Sequence, residues 1–204
     1  MMEEVLTALR PKPGGRFVDG TVGSGGHAEA VLKASGPTGW IFGCDRDGDA
    51  LEATRMRLAA EFASRFELRH GNFADLPAWV QAGSCDGVLL DLGVSSPQLD
   101  RAERGFSFQH DGPLDMRMDA RQQLTAAELV NSASAEELAK IFRELGDEPD
   151  ARRMARAIEH DRQARRFETT RQLAELLARI APRHGRKAHP ATRAFQALRI
   201  AVND

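Results

Sequence analysis

The sequence has no tyrosine, and only two cysteines occur among its 204 residues. Cys44 and Cys85 each stand directly before an aspartate in an apolar run, which is typical of small, reduced, buried side chains. No Cys/His group has the spacing of zinc ligands, so we expect no metal. No run of about 18 apolar residues occurs, and the N-terminus lacks the basic-then-apolar pattern of a secretory signal. These absences predict a soluble, cytoplasmic protein.

The near-neutral charge of −2 conceals an uneven distribution. Residues 1–150 hold 15 Lys and Arg against 25 Asp and Glu, whereas residues 151–193 hold 12 against 4. A basic segment after an acidic part favours contact with a polyanion. A solvated helix face rich in arginine explains the same composition, and composition alone favours that alternative.

The first half alternates short apolar runs with helical patterns, which predicts βαβ units and a parallel sheet. Helices are expected over residues 27–33 and 49–62. The sequence predicts four strands, at residues 16–19, 40–45, 66–70 and 85–91.

The remainder reads as a loop over residues 95–119 followed by helices. Capping boxes begin at Thr125, Ser134 and Thr169, each ahead of an apolar stripe with helical spacing. The predicted fold class is α/β, with a Rossmann-like parallel sheet followed by an all-α part.

A glycine-rich turn joins the first strand to the first helix of the sheet. Gly23, Gly25 and Gly26 allow a tight turn and a close approach of backbone to a ligand. The helix that follows offers free N–H groups to an anion. The sequence has no G-x-x-x-x-G-K-[ST], which excludes a phosphate-binding P-loop.

Two acids narrow the choice of ligand. Asp45 ends the second strand, where a carboxylate accepts bonds from ribose hydroxyls of either NAD or S-adenosylmethionine. Asp19 ends the first strand, where a carboxylate repels a pyrophosphate but attracts an ammonium and a sulfonium. Asp19 therefore favours S-adenosylmethionine over a nicotinamide cofactor.

Further residues complete this edge of the sheet. Phe73 follows the third strand and is placed to pack against an adenine, with core packing as the alternative. Asp91 ends the fourth strand. His27 is assigned to shaping the turn rather than to catalysis.

The methyl acceptor is expected at the loop after the fourth strand. We predict that the N–H groups of an exocyclic base amine bond to this loop, at Asp91, Ser95, Ser96 and Pro97. Methyl transfer then depends mainly on the positioning of the amine relative to the methyl group. Cytosine C5 methylation is disfavoured because it needs a cysteine on a catalytic loop. Two phenylalanines, Phe106 and Phe108, either stack on an extruded base or anchor the loop.

Long ordered motifs resemble those of the RsmH (MraW) family. They are Val18-Asp19-Gly20-Thr21-Val22-Gly23-Ser24-Gly25-Gly26-His27, Asp91-Leu92-Gly93-Val94-Ser95-Ser96-Pro97-Gln98-Leu99-Asp100, Arg104-Gly105-Phe106-Ser107-Phe108, Asp111-Gly112-Pro113-Leu114-Asp115-Met116-Arg117-Met118-Asp119, and the run from His189 to Ile200.

The resemblance implies an S-adenosylmethionine-dependent enzyme that methylates N4 of one cytidine near the decoding site of 16S ribosomal RNA. The partner is then 16S rRNA or the small ribosomal subunit, and a dimer is one of the oligomeric states left open. The resemblance assigns cofactor contacts to Gly25, Gly26, His27, Asp45, Phe73 and Asp91, and it alone adds Gln98. It also favours an RNA-facing surface over a solvated helix face as the interpretation of the basic segment. The residues then assigned to RNA binding are Arg152, Arg153, Arg165, Arg166, Arg186 and Lys187.

The resemblance implies a core at residues 1–96 with an incomplete parallel sheet, a loop and all-α insertion at 97–193, and a helix that returns to the core at 194–204. The family continues with strands that finish the sheet, so the resemblance also implies a chain truncated at Asp204. The alternative function is a non-catalytic fragment that binds cofactor or RNA. A nicotinamide-dependent oxidoreductase is disfavoured by Asp19, and only the resemblance selects RNA over protein or DNA as substrate.

Overall fold

The computed structural model describes residues 2–181 and 188–203, and the chain divides into two compact units, Met1–Gly93 and Val94–Asp204. The boundary lies a few residues before the predicted one at residue 96. Each unit has a hydrophobic core of its own. Within the described ranges, no helix is long and apolar enough to cross a membrane.

The first unit is a four-stranded parallel sheet with the order β3-β2-β1-β4, flanked by helices. This arrangement confirms the predicted α/β class with parallel strands. The elements are α1 (Met2–Leu9), β1 (Arg16–Asp19), α2 (Gly26–Ala34), β2 (Trp40–Asp45), α3 (Gly48–Phe62), β3 (Phe66–His70), a 3₁₀ helix at Phe73–Ala78 and β4 (Gly87–Leu89).

The fourth strand is shorter than predicted. It was expected over residues 85–91, but only Gly87–Leu89 pairs with β1. The register joins Phe17 to Gly87 and Asp19 to Leu89, so the ladder of β4 ends where β1 ends. The length of a strand depends on pairing with its neighbour. The apolar pattern of one strand carries no information about that pairing.

Parallel pairing brings the carboxyl ends of the strands to one edge of the sheet. Asp19 and Asp45 are the last residues of β1 and β2, and Gly71 follows β3. Below this edge, side chains such as Phe17, Leu32 and Leu58 form the core of the first unit, each at most 2% exposed.

The outer strand β4 carries an apolar surface. Among the described residues β4 pairs only with β1. Val88 is 59% exposed and Leu92 after the strand is 72% exposed. Within the described part of the chain, β4 is therefore an edge strand with exposed apolar side chains beside it.

The two cysteines differ in their surroundings. Cys44 is buried as expected, and burial raises the pKa of its thiol to about 12. Cys85 is half-buried rather than buried, because it precedes the short β4 instead of lying within it. Both thiols are reduced.

The second unit is helical in its described part, and the three predicted capping boxes are confirmed. A fourth capping box joins Ser95 to Gln98. The helices are α4 (Ser96–Asp100), a 3₁₀ helix at Ala102–Arg104, α5 (Ala126–Ser132), α6 (Ala135–Gly146), α7 (Ala151–Asp161), α8 (Thr170–Ile180) and α9 (Thr192–Asn203).

The last helix packs in the second unit, which corrects the expected return of residues 194–204 to the first. Phe195, Leu198 and Val202 of α9 are buried in the same core as Phe142 of α6. The apolar stripe of α9 was visible in the sequence. The sequence does not indicate which of the two cores buries this stripe, because both cores are lined by the same kinds of side chain.

Asn203 fastens the end of α9 to the preceding loop. Its Nδ2 donates to the carbonyl of Met116 at 2.7 Å, and its Oδ1 accepts from the N–H of Met118 at 2.6 Å. One amide side chain therefore satisfies two backbone groups of a segment far away in sequence.

Candidate cofactor site

The glycine-rich turn leaves open space above its backbone. Gly23 and Gly25 have φ of 52° and 80°, a conformation that disfavours other residues. A Cβ at Gly23 would find only the Thr21 carbonyl, at 3.9 Å, and one at Gly26 only the Met2 Cε, at 4.0 Å. Within the described part of the chain, a ligand can thus reach the backbone at these two positions.

Gly25 has a different reason to lack a side chain. A Cβ there would lie 2.9 Å from the Thr54 side chain on α3. The Oγ1 of Thr54 donates to the Gly23 carbonyl at 2.7 Å, and Thr54 is fully buried. Sequence analysis missed Thr54, although a polar residue between Leu51 and Leu58 on an apolar helix face was a visible signal.

Asp45 holds the turn in place. Its Oδ2 accepts the Gly23 N–H at 2.8 Å, and its Oδ1 accepts the Asp47 N–H at 2.9 Å. Burial raises the pKa of Asp45, and these backbone N–H groups oppose that rise. The carboxylate therefore both shapes the turn and stands at its rim, where it was predicted to bond a ribose.

Asp19 lies beneath the turn and is only 2% exposed. Its Oδ1 accepts the Thr21 N–H at 3.2 Å. Burial raises the pKa of Asp19 to about 7, with further contributions from the carboxylates of Asp45 and Asp91. A nearby positive charge would favour the ionised carboxylate, as the predicted cationic ligand requires.

Thr21 links the turn to the loop after β4. Its Oγ1 accepts the backbone N–H of Asp91 at 2.7 Å, and the Gly20 N–H donates to the Leu89 carbonyl at 2.9 Å. Asp91 itself is exposed. The structure thus brings Asp19, Asp45 and Asp91 together at the turn, as the strand ends predict.

Phe73 is the first residue of the 3₁₀ helix and is 37% exposed. A Cβ at Gly20 would lie 2.9 Å from the Phe73 Cβ, so the phenylalanine adjoins the start of the turn. Core packing, the alternative for Phe73, does not agree with this exposure. Its contact with an adenine stays a prediction.

His27 lies in the first turn of α2. Its Nδ1 is buried and has no hydrogen-bond partner among the described residues. Buried polar atoms are normally satisfied by protein, water or ligand. The imidazole therefore offers one hydrogen bond beside the turn, in agreement with a role in shaping or binding there.

Of the predicted acceptor residues, Ser95, Ser96 and Pro97 belong to the second unit and Asp91 to the first. Ser95 precedes α4, and Ser96 and Pro97 are its first two residues. The Ser95 N–H donates to Gln98 Oε1 at 2.9 Å, and Gln98 is 7% exposed. The Gln98 side chain thus caps α4, and its predicted cofactor contact stays a prediction.

Both phenylalanines of the motif at residues 104–108 pack against other side chains of the second unit. Phe106 is fully buried in the second core. Phe108 stands edge-on to Phe195 with ring centroids 4.7 Å apart. The loop-anchoring alternative is therefore correct for Phe106, and base stacking by that ring is wrong.

The basic segment is exposed where the structure describes it. Arg152, Arg165 and Arg166 are exposed, and Arg153 pairs with Asp150 at 2.9 Å. Arg162 instead donates to the carbonyls of Val130 and Ala133. Arg186 and Lys187 lie outside the described residues.

Fold and turn together define a Rossmann-like cofactor-binding domain: parallel strands, a glycine turn and acids at the carboxyl ends. The chain's family is defined by sequence. The model of the MraW methylase family matches residues 1–204, and the chain belongs to that family. The predicted class, a methyltransferase, is the class this family name gives.

Curated relatives share much of the sequence. Proteins named ribosomal RNA small subunit methyltransferase H are 57% identical in Syntrophotalea carbinolica and 48% identical in Shewanella denitrificans. Each alignment covers 100% of this chain but 66% and 65% of the relative. The chain therefore spans slightly less than two thirds of the length of these relatives.

Solved structures show a partial likeness. A putative rRNA-methylase from Clostridium thermocellum has a TM-score of 0.40 and 21% identity, over 46% of this chain and 54% of that one. An S-adenosylmethionine-dependent O-methyltransferase from Thermotoga maritima has a TM-score of 0.39 and 21% identity, over 45% and 34%. The family assignment rests on the family model and the curated relatives.

Proposed function

We propose that this chain binds S-adenosylmethionine and takes part in methylating N4 of one cytidine of 16S rRNA near the decoding site. Its partner is then 16S rRNA or the small ribosomal subunit, in the cytoplasm. The observation that carries the proposal is the turn at residues 19–27, open above Gly23 and Gly26 and lined by carboxylates. Family membership and the relatives' name support it.

The charges of the turn fit this cofactor. S-adenosylmethionine supplies an electrophilic methyl group on a positive sulfonium, and it also carries an ammonium and a carboxylate. Asp19, Asp45 and Asp91 form a negative surrounding that a bound cation would stabilise. The N-terminus of α2 behind Gly25 and Gly26 offers backbone N–H groups to the carboxylate. Asp45 and Phe73 would hold the ribose and adenine.

The residues assigned to the acceptor would orient an amine. The lone pair of a cytosine amine is delocalised into the ring, so the nitrogen must pyramidalise before it reacts. Oxygen acceptors from Asp91 and from the stretch at Ser95, Ser96 and Pro97 would bond its N–H groups and favour that geometry. No covalent nucleophile is required from the chain.

The basic segment would hold the RNA. Arg152, Arg153, Arg165 and Arg166 are exposed, and the proposal extends to Arg186 and Lys187, which lie outside the described residues. Arginine suits phosphate because its guanidinium donates two parallel hydrogen bonds. These contacts would position the RNA without reading its sequence.

Calorimetric titration with S-adenosylmethionine tests the cofactor site. Asp45→Ala removes the acceptor that holds Gly23, and Gly25→Val places a side chain against Thr54, so both variants should lose binding. Glu52→Ala changes an exposed acid of α3 and serves as the matched control. Wild-type affinity in both site variants contradicts the assignment.

Activity is measured as N4-methylcytidine in 16S rRNA taken from cells that lack the gene, by mass spectrometry of nucleosides. The proposal expects this nucleoside to appear with the chain and cofactor together. Cofactor or RNA binding without product would favour the alternative, a non-catalytic binding function.

A further inference from the structure

A cavity lies at the opposite end of the sheet from the glycine turn. It measures about 440 Å³ and adjoins the first residues of β1 and β4. That volume is in the range of sites for small organic ligands. Its wall is formed by Leu9, Arg10, Lys12, Pro13, Gly14, Gly15, Phe17 and Asp86.

Positive charge is concentrated on one side of this cavity. The run from Arg10 to Arg16 holds three cations and no acid, whereas residues 1–93 hold 9 Lys and Arg against 13 Asp and Glu. Within the described residues, neither Arg10 nor Lys12 has an ion-pair partner. The cavity's single carboxylate, Asp86, already accepts the Arg16 backbone N–H at 2.8 Å.

The backbone of the segment that carries these cations has a restricted conformation. Arg10 has φ of 48°, in the left-handed region that a residue with a side chain rarely adopts. Its N–H donates to the Leu6 carbonyl at 2.9 Å, and Pro11 and Pro13 restrict the chain that follows. The backbone of the segment is thus fixed at the rim of the cavity, while the side chains of Arg10 and Lys12 are exposed.

Apolar side chains share the lining of the cavity with the cations. Leu9 and Pro13 lie in this lining, whereas Phe17 is 2% exposed and offers a ligand almost no surface. A free inorganic anion uses only the charged wall. A nucleotide unit uses both parts, because it joins a phosphate to a ribose and base.

We infer that this cavity is a subsite for the RNA strand, in which Arg10 and Lys12 contact a phosphodiester and Leu9 and Pro13 contact the attached nucleoside. The inference rests on the proposed function, since it takes the RNA substrate as its ligand. It gives the first unit an RNA-binding surface of its own, separate from the basic segment of the second.

The test measures RNA affinity against salt concentration with a small-subunit rRNA transcript. Arg10→Ala with Lys12→Ala should weaken binding and reduce the slope of log affinity against log salt by about 0.7–0.9 for each phosphate that is no longer neutralised. Arg10→Lys with Lys12→Arg keeps both charges and should retain the wild-type slope. Arg55→Ala with Arg57→Ala removes two paired cations of α3 and should leave the slope unchanged.

Three results would overturn the inference. One is a wild-type slope in the double alanine variant, and another is an equal decrease in the α3 variant, which would indicate general charge attraction. The third is inorganic phosphate binding that disappears in the alanine variant while RNA affinity is kept, which would indicate a free-anion site. A wild-type chain that binds no RNA at all would overturn the proposed RNA substrate as well.

Discussion

At the scale of single residues, the turn depends on side chains that never reach solvent. Asp19 and Thr54 are 2% and 0% exposed, yet each bonds a backbone group of the turn. Asp19 was predicted because it ends a strand, whereas Thr54 comes from a helix that the sequence does not place beside the turn. The position of a residue within a strand can be predicted from the sequence, but its neighbours from other elements cannot.

Asp19→Asn should change the pH dependence of stability. The folded-state pKa of about 7 lies above the ordinary value of 3.8, so the folded chain keeps a proton that the unfolded chain loses. The stability of the wild type therefore falls as pH rises from about 4 to 7. Without that carboxyl, the variant should gain about 2–4 kcal/mol relative to wild type between pH 4.5 and 8.

Urea denaturation at both pH values measures this difference. Glu61→Gln, which changes an exposed acid of α3, is the control. Equal pH dependence in Asp19→Asn and wild type would show that Asp19 is ionised in the folded chain throughout.

Cofactor binding should release protons near neutral pH. A bound sulfonium and ammonium favour the ionised Asp19, so part of its proton leaves on binding. S-adenosylhomocysteine lacks the sulfonium charge and should release fewer protons. Calorimetry in buffers of different ionisation enthalpy counts the protons, and an equal count for both ligands would contradict a charge interaction with Asp19.

Thr54→Val should destabilise the turn while preserving the shape of the side chain. The Gly23 carbonyl loses its buried donor, at an expected cost of about 1–2 kcal/mol in the free energy of unfolding, together with weaker cofactor binding. Thr54→Ser keeps the hydroxyl and should retain more of the affinity. Denaturation and calorimetry of both variants make the comparison, and equal affinities would remove the role given to the hydroxyl.

At the scale of elements, local signals predicted most boundaries. Strands β1, β2 and β3 occupy the predicted residues because each contains apolar side chains and is bounded by turn residues. Both predicted limits of β4 were wrong, because its extent depends on pairing with β1. The capping box at Ser95 was visible as Ser-x-x-Gln, but the short α4 behind it has too few residues to show a helical period.

The capping boxes make a test at this scale. In Ser134→Ala, the Glu137 N–H loses the side-chain acceptor that lies 3.2 Å away, and α6 should lose about 1 kcal/mol. Ser134→Asp keeps an acceptor and should remain close to wild type. Thermal denaturation of the three proteins checks the order, and an unchanged midpoint in the alanine variant would contradict it.

At the scale of the whole chain, two cores correspond to two units. The sequence indicated the change from alternating strands and helices to loop and helices near residue 95, but the family resemblance assigned α9 to the first unit. Assigning a helix to one of two cores requires the packing itself. The candidate site was predicted in most of its first-unit residues because parallel strands force their ends together, whereas Gln98 came only from family resemblance.

Residues 94–204 should fold without residues 1–93. Their described part contains its own buried core, from Phe106 on the loop to Val202 on α9. Circular dichroism of this fragment should show a helical spectrum and a cooperative thermal transition. A fragment that melts without cooperativity would show that the second unit depends on the first for its stability.

The contacts of Asn203 give this second unit an unusual connectivity. Its two hydrogen bonds close the polypeptide between residues 118 and 203 into a ring without a covalent link. The two ends of that stretch are neighbours in space. The packing of its helices therefore does not depend on which helix comes first along the chain. A circularly permuted chain, joined across this contact and opened at another connection, would keep the same helices in the same packing.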